Sequence, residues 1–102
     1  MDIFITKSKK SNKKFDAIID DKKGNTKIIS FGQSGYSDYT KHKDPERKER
    51  YIARHSKEDW SKSNIDSPAW MSRFILWEKP SLKGAIDNAN KKYSDIRFKL
   101  IK

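Results

Sequence analysis

The stretch KKFDAIIDDKKGNTKIISFG, Lys13 to Gly32, decides the fold. Phe15, Ala17 and Ile19 recur at every second position, as do Ile29 and Phe31, and the polar run DDKKGN with Gly24 and Asn25 separates the two groups. A spacing of two places such side chains on one face of an extended strand, so the stretch predicts a β-hairpin with one face turned to a core. Towards the N-terminus, IFI (Ile3 to Ile5) is a further short β-prone run. Between that run and the hairpin lies KSKKSNKK, with five lysines and no acid from Lys7 to Lys14. Residues 7–14 therefore read as a basic loop or arm.

Beyond the hairpin the pattern changes to helices. Asp44 before Pro45 is a helix start, because the Asp side chain accepts orphan amide bonds while proline at the first helical position loses nothing. A helix is predicted from Pro45 to about Ser56, with Arg47, Arg50, Arg54 and Lys57 along one side. Ser67-Pro68 repeats the device and opens AWMSRFILW, whose Trp70, Phe74 and Trp77 form one apolar stripe with Met71, Ile75 and Leu76 beside it. This is the densest apolar segment, and it reads as core. Pro80 stops that helix, Ser81 caps a third, and Leu82, Ala85, Ile86, Ala89 and Tyr93 follow helical spacing. The tail DIRFKLIK alternates Ile96, Phe98 and Leu100, which predicts a terminal strand closing the sheet, with one more helical turn as the alternative. The order implies an α+β protein, one domain over residues 1–102: a small antiparallel sheet with about three helices packed on one face.

Bulk composition narrows the function. Of 102 residues, 33% are apolar and 37% charged, while aromatics reach 12%, so the core is thin and built from rings. A net charge of +10 attracts phosphate polymers, acidic protein surfaces or anionic membranes before any specific contact forms. The absence of cysteine removes thiolate chemistry, cysteine metal sites and disulfides, and favours a reducing compartment. No apolar run approaches the ~20 residues of a membrane span, and MDIFITKSKK is too short in apolar residues for a signal peptide, so a soluble, unexported protein without a membrane span is expected.

Catalytic motifs are weak by comparison. His42, Asp44, His55 and Glu58 can be drawn as a metal or general-base cluster, but His42 and His55 fall at opposite ends of the predicted helix, roughly 16 Å apart at ~1.5 Å per residue. There is no nucleophile elbow, phosphate-binding loop, dinucleotide fingerprint or zinc-protease motif, and nothing calls for a cofactor or a metal. Gly32 and Gly35 in FGQSGYSD could turn amides towards an anion, although a tight turn explains them equally well.

The basic positions are the strongest signal. Lys41, Lys43, Arg47, Arg50, Arg54 and Lys57 form a stripe with Tyr36, Tyr39 and Tyr51 interleaved, which combines phosphate neutralisation with flat surfaces. The competing reading is a salt-laced helix whose arginines are neutralised by Glu46, Glu49 and Glu58. Tyr36, Asp38 and Tyr39 also have a structural reading, in which a ring packs on the sheet and Asp38 pairs with Arg50 or Arg54.

GYSDYTKHKD, RKERYIARH and ILWEKP, within a match from Phe15 to about Tyr93, closely resemble an uncharacterised family, a domain of unknown function, of small basic proteins encoded by nucleocytoplasmic large DNA viruses, the giant and algal viruses. The resemblance implies a viral source and a compact hairpin-plus-helices module, and it transfers no catalytic residue. The expected function is a non-enzymatic viral protein that binds DNA or RNA with low sequence specificity. Its contacts are expected at Lys7, Lys9, Lys10, Lys13, Lys14, Lys41, Lys43, Arg47, Arg50, Arg54, Lys57, Tyr36 and Tyr39. The alternative is a minor capsid or virion protein bridging acidic faces of larger subunits. A small metal-dependent nuclease using His42, Asp44 or His55 is a third reading. A viral source places the protein in host cytoplasm or nucleus, at the virus factory, or packaged in the virion; the oligomeric state stays open.

Overall fold

Alternating apolar positions build the sheet. The computed structural model describes residues 1–21 and 23–101 of the chain. Strands β1 (Asp2–Lys7), β2 (Lys13–Asp20) and β3 (Thr26–Gln33) form an antiparallel meander, and β4 (Arg97–Leu100) lies on the free side of β1, giving the order β3-β2-β1-β4. The register aligns Ile3 with Ile19 and Phe98, Ile5 with Ala17 and Leu100, Ala17 with Ile29, and Phe15 with Phe31. Because side chains alternate between faces, all of these point to one side, where Ile3, Ile5, Ala17 and Phe31 are buried. The other face carries Phe4, Ile18 and Ile28 in a row, with Lys99 Nζ 5.9 Å from the Phe4 ring.

The tail is a strand, as its alternation predicts, but it runs parallel to β1, so the sheet is mixed rather than wholly antiparallel. Parallel pairing needs a crossover of a dozen or more residues, and the helices between β3 and β4 supply it. The crossover returns to the start of β1: the Met1 ammonium donates to the Asp95 carbonyl at 3.2 Å, and the Arg97 amide donates to the Met1 carbonyl at 3.0 Å. The outer edge of β4 is closed by one side chain. Asn90 accepts from the Phe98 amide at 2.7 Å and donates to the Phe98 carbonyl at 3.0 Å, in the manner of a fifth strand.

The basic segment 7–14 forms the hairpin connection between β1 and β2. Lys7 ends β1, Lys13 and Lys14 begin β2, and the turn between them is closed by the Ser8 amide on the Lys14 carbonyl (3.1 Å) and the Lys13 amide on the Lys10 carbonyl (3.3 Å). Asp16 ties this turn to the sheet, accepting from the Ser8 and Ser30 hydroxyls at 2.7 and 2.6 Å. Burial pushes the Asp16 carboxyl up, but these hydroxyl bonds outweigh it and leave the group below the usual carboxylate range. In the expected DDKKGN turn, Lys22 lies outside the described residues, as does Lys102 in the tail. Asp21 accepts from the Lys23 and Asn25 amides, and Gly24 takes a φ of 89°, the left-handed conformation glycine tolerates.

Among the described residues there are four α-helices where about three were expected: α1 (Tyr39–His42), α2 (Pro45–Arg54), α3 (Pro68–Met71) and α4 (Leu82–Lys92). The extra one, α1, is a single turn capped by the Asp38 carboxylate. Asp44, Ser67 and Ser81 cap α2, α3 and α4, accepting from the amides of Glu46, Trp70 and Gly84 as their positions predict. α3 does not continue as a regular helix. Ser72–Leu76 form a π turn, and Phe74, Ile75 and Leu76 are all buried within it. Three consecutive residues of an α-helix span 200° of its surface at 100° each, so burying all three fits the wider turn.

The core joins the sheet to α3, the π turn and α4 through Trp70, Met71, Ile75, Ala85, Ile86 and Ala89, with Trp70 stacked on Phe98 at 6.0 Å. α2 differs. It has no fully buried residue, and it is anchored where Tyr51 lies flat on Trp77, with ring centroids 4.2 Å apart and 3° between planes.

Candidate nucleic-acid interface

The stack under α2 extends in both directions. His42 sits 5.2 Å from Trp77, Trp77 4.2 Å from Tyr51, and Tyr51 4.4 Å from His55, so two rings stand between the histidines. That order separates His42 from His55 and sets each in its own local bond. His42 Nδ1 accepts from the Asp44 amide at 3.0 Å, and His55 Nδ1 lies 3.1 Å from Glu58 Oε1. Among the described residues no group of three or more His, Asp or Glu side chains is placed to hold a metal ion. Burial, reinforced by the Arg47 cation, pushes His42 below the ordinary imidazole range. Burial pushes the Tyr51 phenol up to about 12, so it stays protonated.

Lysines tether this unit to the rest of the molecule. Lys48 Nζ donates to the Glu78 carbonyl at 2.7 Å and lies 5.2 Å from the Tyr39 ring centroid. Lys43 Nζ donates to the Pro80 carbonyl at 2.6 Å, while its backbone takes a φ of 56° that ends α1. Lys43, expected in the binding stripe, is therefore occupied in fastening α1 to the loop after the π turn. Lys14 is likewise engaged within the fold. Its ammonium lies 2.5 Å from Asp38 Oδ2, and the two side chains are only 10% and 3% exposed. Asp38 is thus paired from β2, not from Arg50 or Arg54, and its other oxygen accepts from the Thr40 amide at 2.9 Å and from the Thr40 hydroxyl.

Three hollows run side by side across this part of the surface. The first, about 330 Å³, is lined by Lys7, Lys13, Lys14 and Lys41 with Phe15, Ser34 and Gly35. The second, about 390 Å³, shares Lys14 and adds Gln33, Tyr36, Asp38, Arg47, Tyr51, Arg54 and Trp77 among its walls. The third, about 400 Å³, shares Arg47, Arg54 and Trp77 and adds Arg50 and Ala53. The first two hollows share Lys14 and the last two share Arg47, Arg54 and Trp77, so the three adjoin in series as a track from the β1–β2 hairpin to α2. The lysines of the hairpin and the arginines of α2, more than 30 residues apart in sequence, therefore border the same surface.

Apart from the Lys14–Asp38 pair, the cations lining the track have no carboxylate within ion-pairing distance among the described residues. The ion pairs among the described residues are Lys14–Asp38, Lys27–Asp66, His55–Glu58, Lys62–Asp95 and Arg73–Glu78, and none engages Arg47, Arg50 or Arg54. Glu58 turns to His55, not to the arginines. Lys7, Lys13 and Lys41 also have no carboxylate partner among the described residues.

Of the remaining expected contacts, Lys9 and Lys10 are exposed on the hairpin turn, Lys57 is exposed beyond the end of α2, and none of the three borders these hollows. Tyr39 is half-buried against His42 at 6.1 Å, a scaffold position. Tyr36 is 66% exposed and faces the middle hollow. Trp77, read as core from its stripe, is half-buried and forms part of the arginine hollow. Its place at the end of the apolar run, just before Glu78-Lys79-Pro80, is the one signal that separates it from Trp70.

Fold and surface together define a small basic α+β protein that gathers unpaired cations beside aromatic rings. A family model described as a family of unknown function (DUF5754) matches residues 4–55, and the chain belongs to that family. The matched segment runs from β1 to the end of α2, contains every expected contact except Lys57, and stops before Trp77. The chain is similar to no curated protein and to no solved structure.

Proposed function

We propose that this protein binds nucleic acid through the track, chiefly by phosphate contacts and with low sequence specificity. The observation that carries the reading is that, among the described residues, Arg47, Arg50 and Arg54 have no carboxylate partner on hollows that adjoin the one lined by Lys7, Lys13 and Lys41. Arginine forks and lysine ammoniums left free in this way neutralise phosphates and release counterions. Phosphate contacts fix position on the strand without reading sequence, which supports low specificity. No catalytic step is assigned to His42 or His55, each of which is engaged in its own local bond. In a large DNA virus, such a protein would act where genomes are copied or packaged.

The cation count sets the test. Six cations, Lys7, Lys13, Lys41, Arg47, Arg50 and Arg54, border the track without a carboxylate partner among the described residues. At ~0.7 to ~0.9 per neutralised phosphate, full engagement gives log Kobs against log salt a slope of about −4 to −5. Fluorescence anisotropy with labelled oligonucleotides over a salt series measures it. Absence of binding at low salt, or binding that ignores salt, would end this reading.

A further inference from the structure

The lining of the track points to the form of the ligand. Lys7, Lys13 and Lys41 line the first hollow and Arg47, Arg50 and Arg54 the last. The middle hollow shares Arg47 and Arg54 with the last, has the buried Lys14–Asp38 pair in its lining, and adds the exposed Tyr36 and Gln33 to its walls. Tyr36 is 66% exposed although rings normally bury their area, and its loop is defined by the Tyr36 amide on the Gln33 carbonyl at 3.3 Å and by Gly35 at a φ of 89°. A flat group can lie on that exposed ring while an adjoining negative charge meets Arg47 or Arg54.

An exposed ring set among unpaired cations matches a base and its neighbouring phosphates along a strand whose bases are free to turn inwards. A duplex keeps its bases paired and stacked inside a convex cylinder, so it can meet the cations but cannot place a base against Tyr36. We propose that the track takes a single-stranded nucleic acid, with one unstacked base on the Tyr36 ring, its edge within reach of Gln33, and the flanking phosphates on the arginine and lysine ends. This rests on the nucleic-acid reading above and adds the strand form. The partner is a single strand recognised by stacking and charge, the mode of sequence-tolerant single-strand binders.

The test compares a short labelled single strand with the duplex of the same sequence in anisotropy titrations of the full chain, using wild type, Tyr36→Ala and Tyr36→Phe. The single strand should bind at least about 10-fold tighter than the duplex. Tyr36→Ala should lose about 10-fold on the single strand, the size of one base–aromatic stack, with an unchanged salt slope and unchanged duplex affinity. Tyr36→Phe should retain the wild-type affinity, because it keeps the ring. Tyr36 is exposed, so neither variant is expected to disturb folding, and circular dichroism checks this. Equal or tighter duplex binding, or a Tyr36→Ala protein that binds the single strand like wild type, overturns the single-strand proposal while leaving nucleic-acid binding intact. No binding of either form overturns both.

Discussion

Lys14 and Lys13 are neighbours of the same type in the same strand, and the structure gives them opposite roles. Lys14→Met removes the partner of a carboxylate that is 2% exposed, leaving Asp38 with only the Thr40 amide and hydroxyl on its other oxygen. Breaking a buried pair from one side costs about 3–5 kcal/mol, and the surviving Thr40 bonds put the expectation at about 3 kcal/mol. A chain of this size has roughly 5–15 kcal/mol in total, so the loss is a large fraction. Lys13→Met lacks a buried partner and should cost under about 0.5 kcal/mol. Urea unfolding followed by Trp fluorescence measures both. With m at about 1–3 kcal/mol per molar, Lys14→Met should lower the midpoint by about 1–3 M at unchanged m. The double variant Lys14→Met/Asp38→Asn should recover part of the loss, since it no longer buries a lone charge. A Lys14→Met midpoint matching that of Lys13→Met would refute the assignment of Lys14 as a structural strut.

Three further outcomes are expected. Gly32 has a φ of 75°, and a Cβ there would lie 2.7 Å from Leu76 Cδ1, so Gly32→Ala should cost at least about 1–2 kcal/mol for the left-handed backbone, with the clash against a buried leucine in addition; the same urea midpoints test this. Asn90→Ala should leave the Phe98 amide without its side-chain acceptor, and hydrogen exchange at Phe98 should accelerate selectively while β2 amides stay protected. His42 is held below its ordinary pKa of 6.5, first by burial and then by Arg47. A depressed folded value means that stability is complete above pH ~6.5 and is lost as pH falls through the folded pKa, because the unfolded chain takes up the proton first. A wild-type melting curve series from pH 7.5 to pH 5 should show this loss, and His42→Gln should flatten it. Identical pH profiles for the two proteins would refute the role of His42.

Elements whose determinants lie within a few residues could be read directly. The caps at Asp44, Ser67 and Ser81 each bond an amide two or three residues away, so residue type at one position and its neighbours suffice. The alternation of Phe15, Ala17 and Ile19 has the same local character. The β1–β2 turn was harder, because SKKSN contains no glycine and its closure rests on Ser8 and Asn12 reaching Lys14 and Ser34 through the backbone. The π turn was hidden because FIL is compatible with a straight helix until the core demands all three residues.

The sequence by itself determined the α+β class, the capped helix starts, the apolar face of the sheet and the excess of positive charge. These follow from spacing, turn chemistry and composition, which act over short distances along the chain. Only the tertiary structure decided that β4 runs parallel to β1, that Trp77 sits at the rim of the core and supports α2, and which cations lack a carboxylate partner among the described residues. A lysine and its neighbour look alike until the fold brings a carboxylate to one of them. Asp38 reaches Lys14 across 24 residues and not Lys13, and that distance in space separates a structural cation from one available to a ligand.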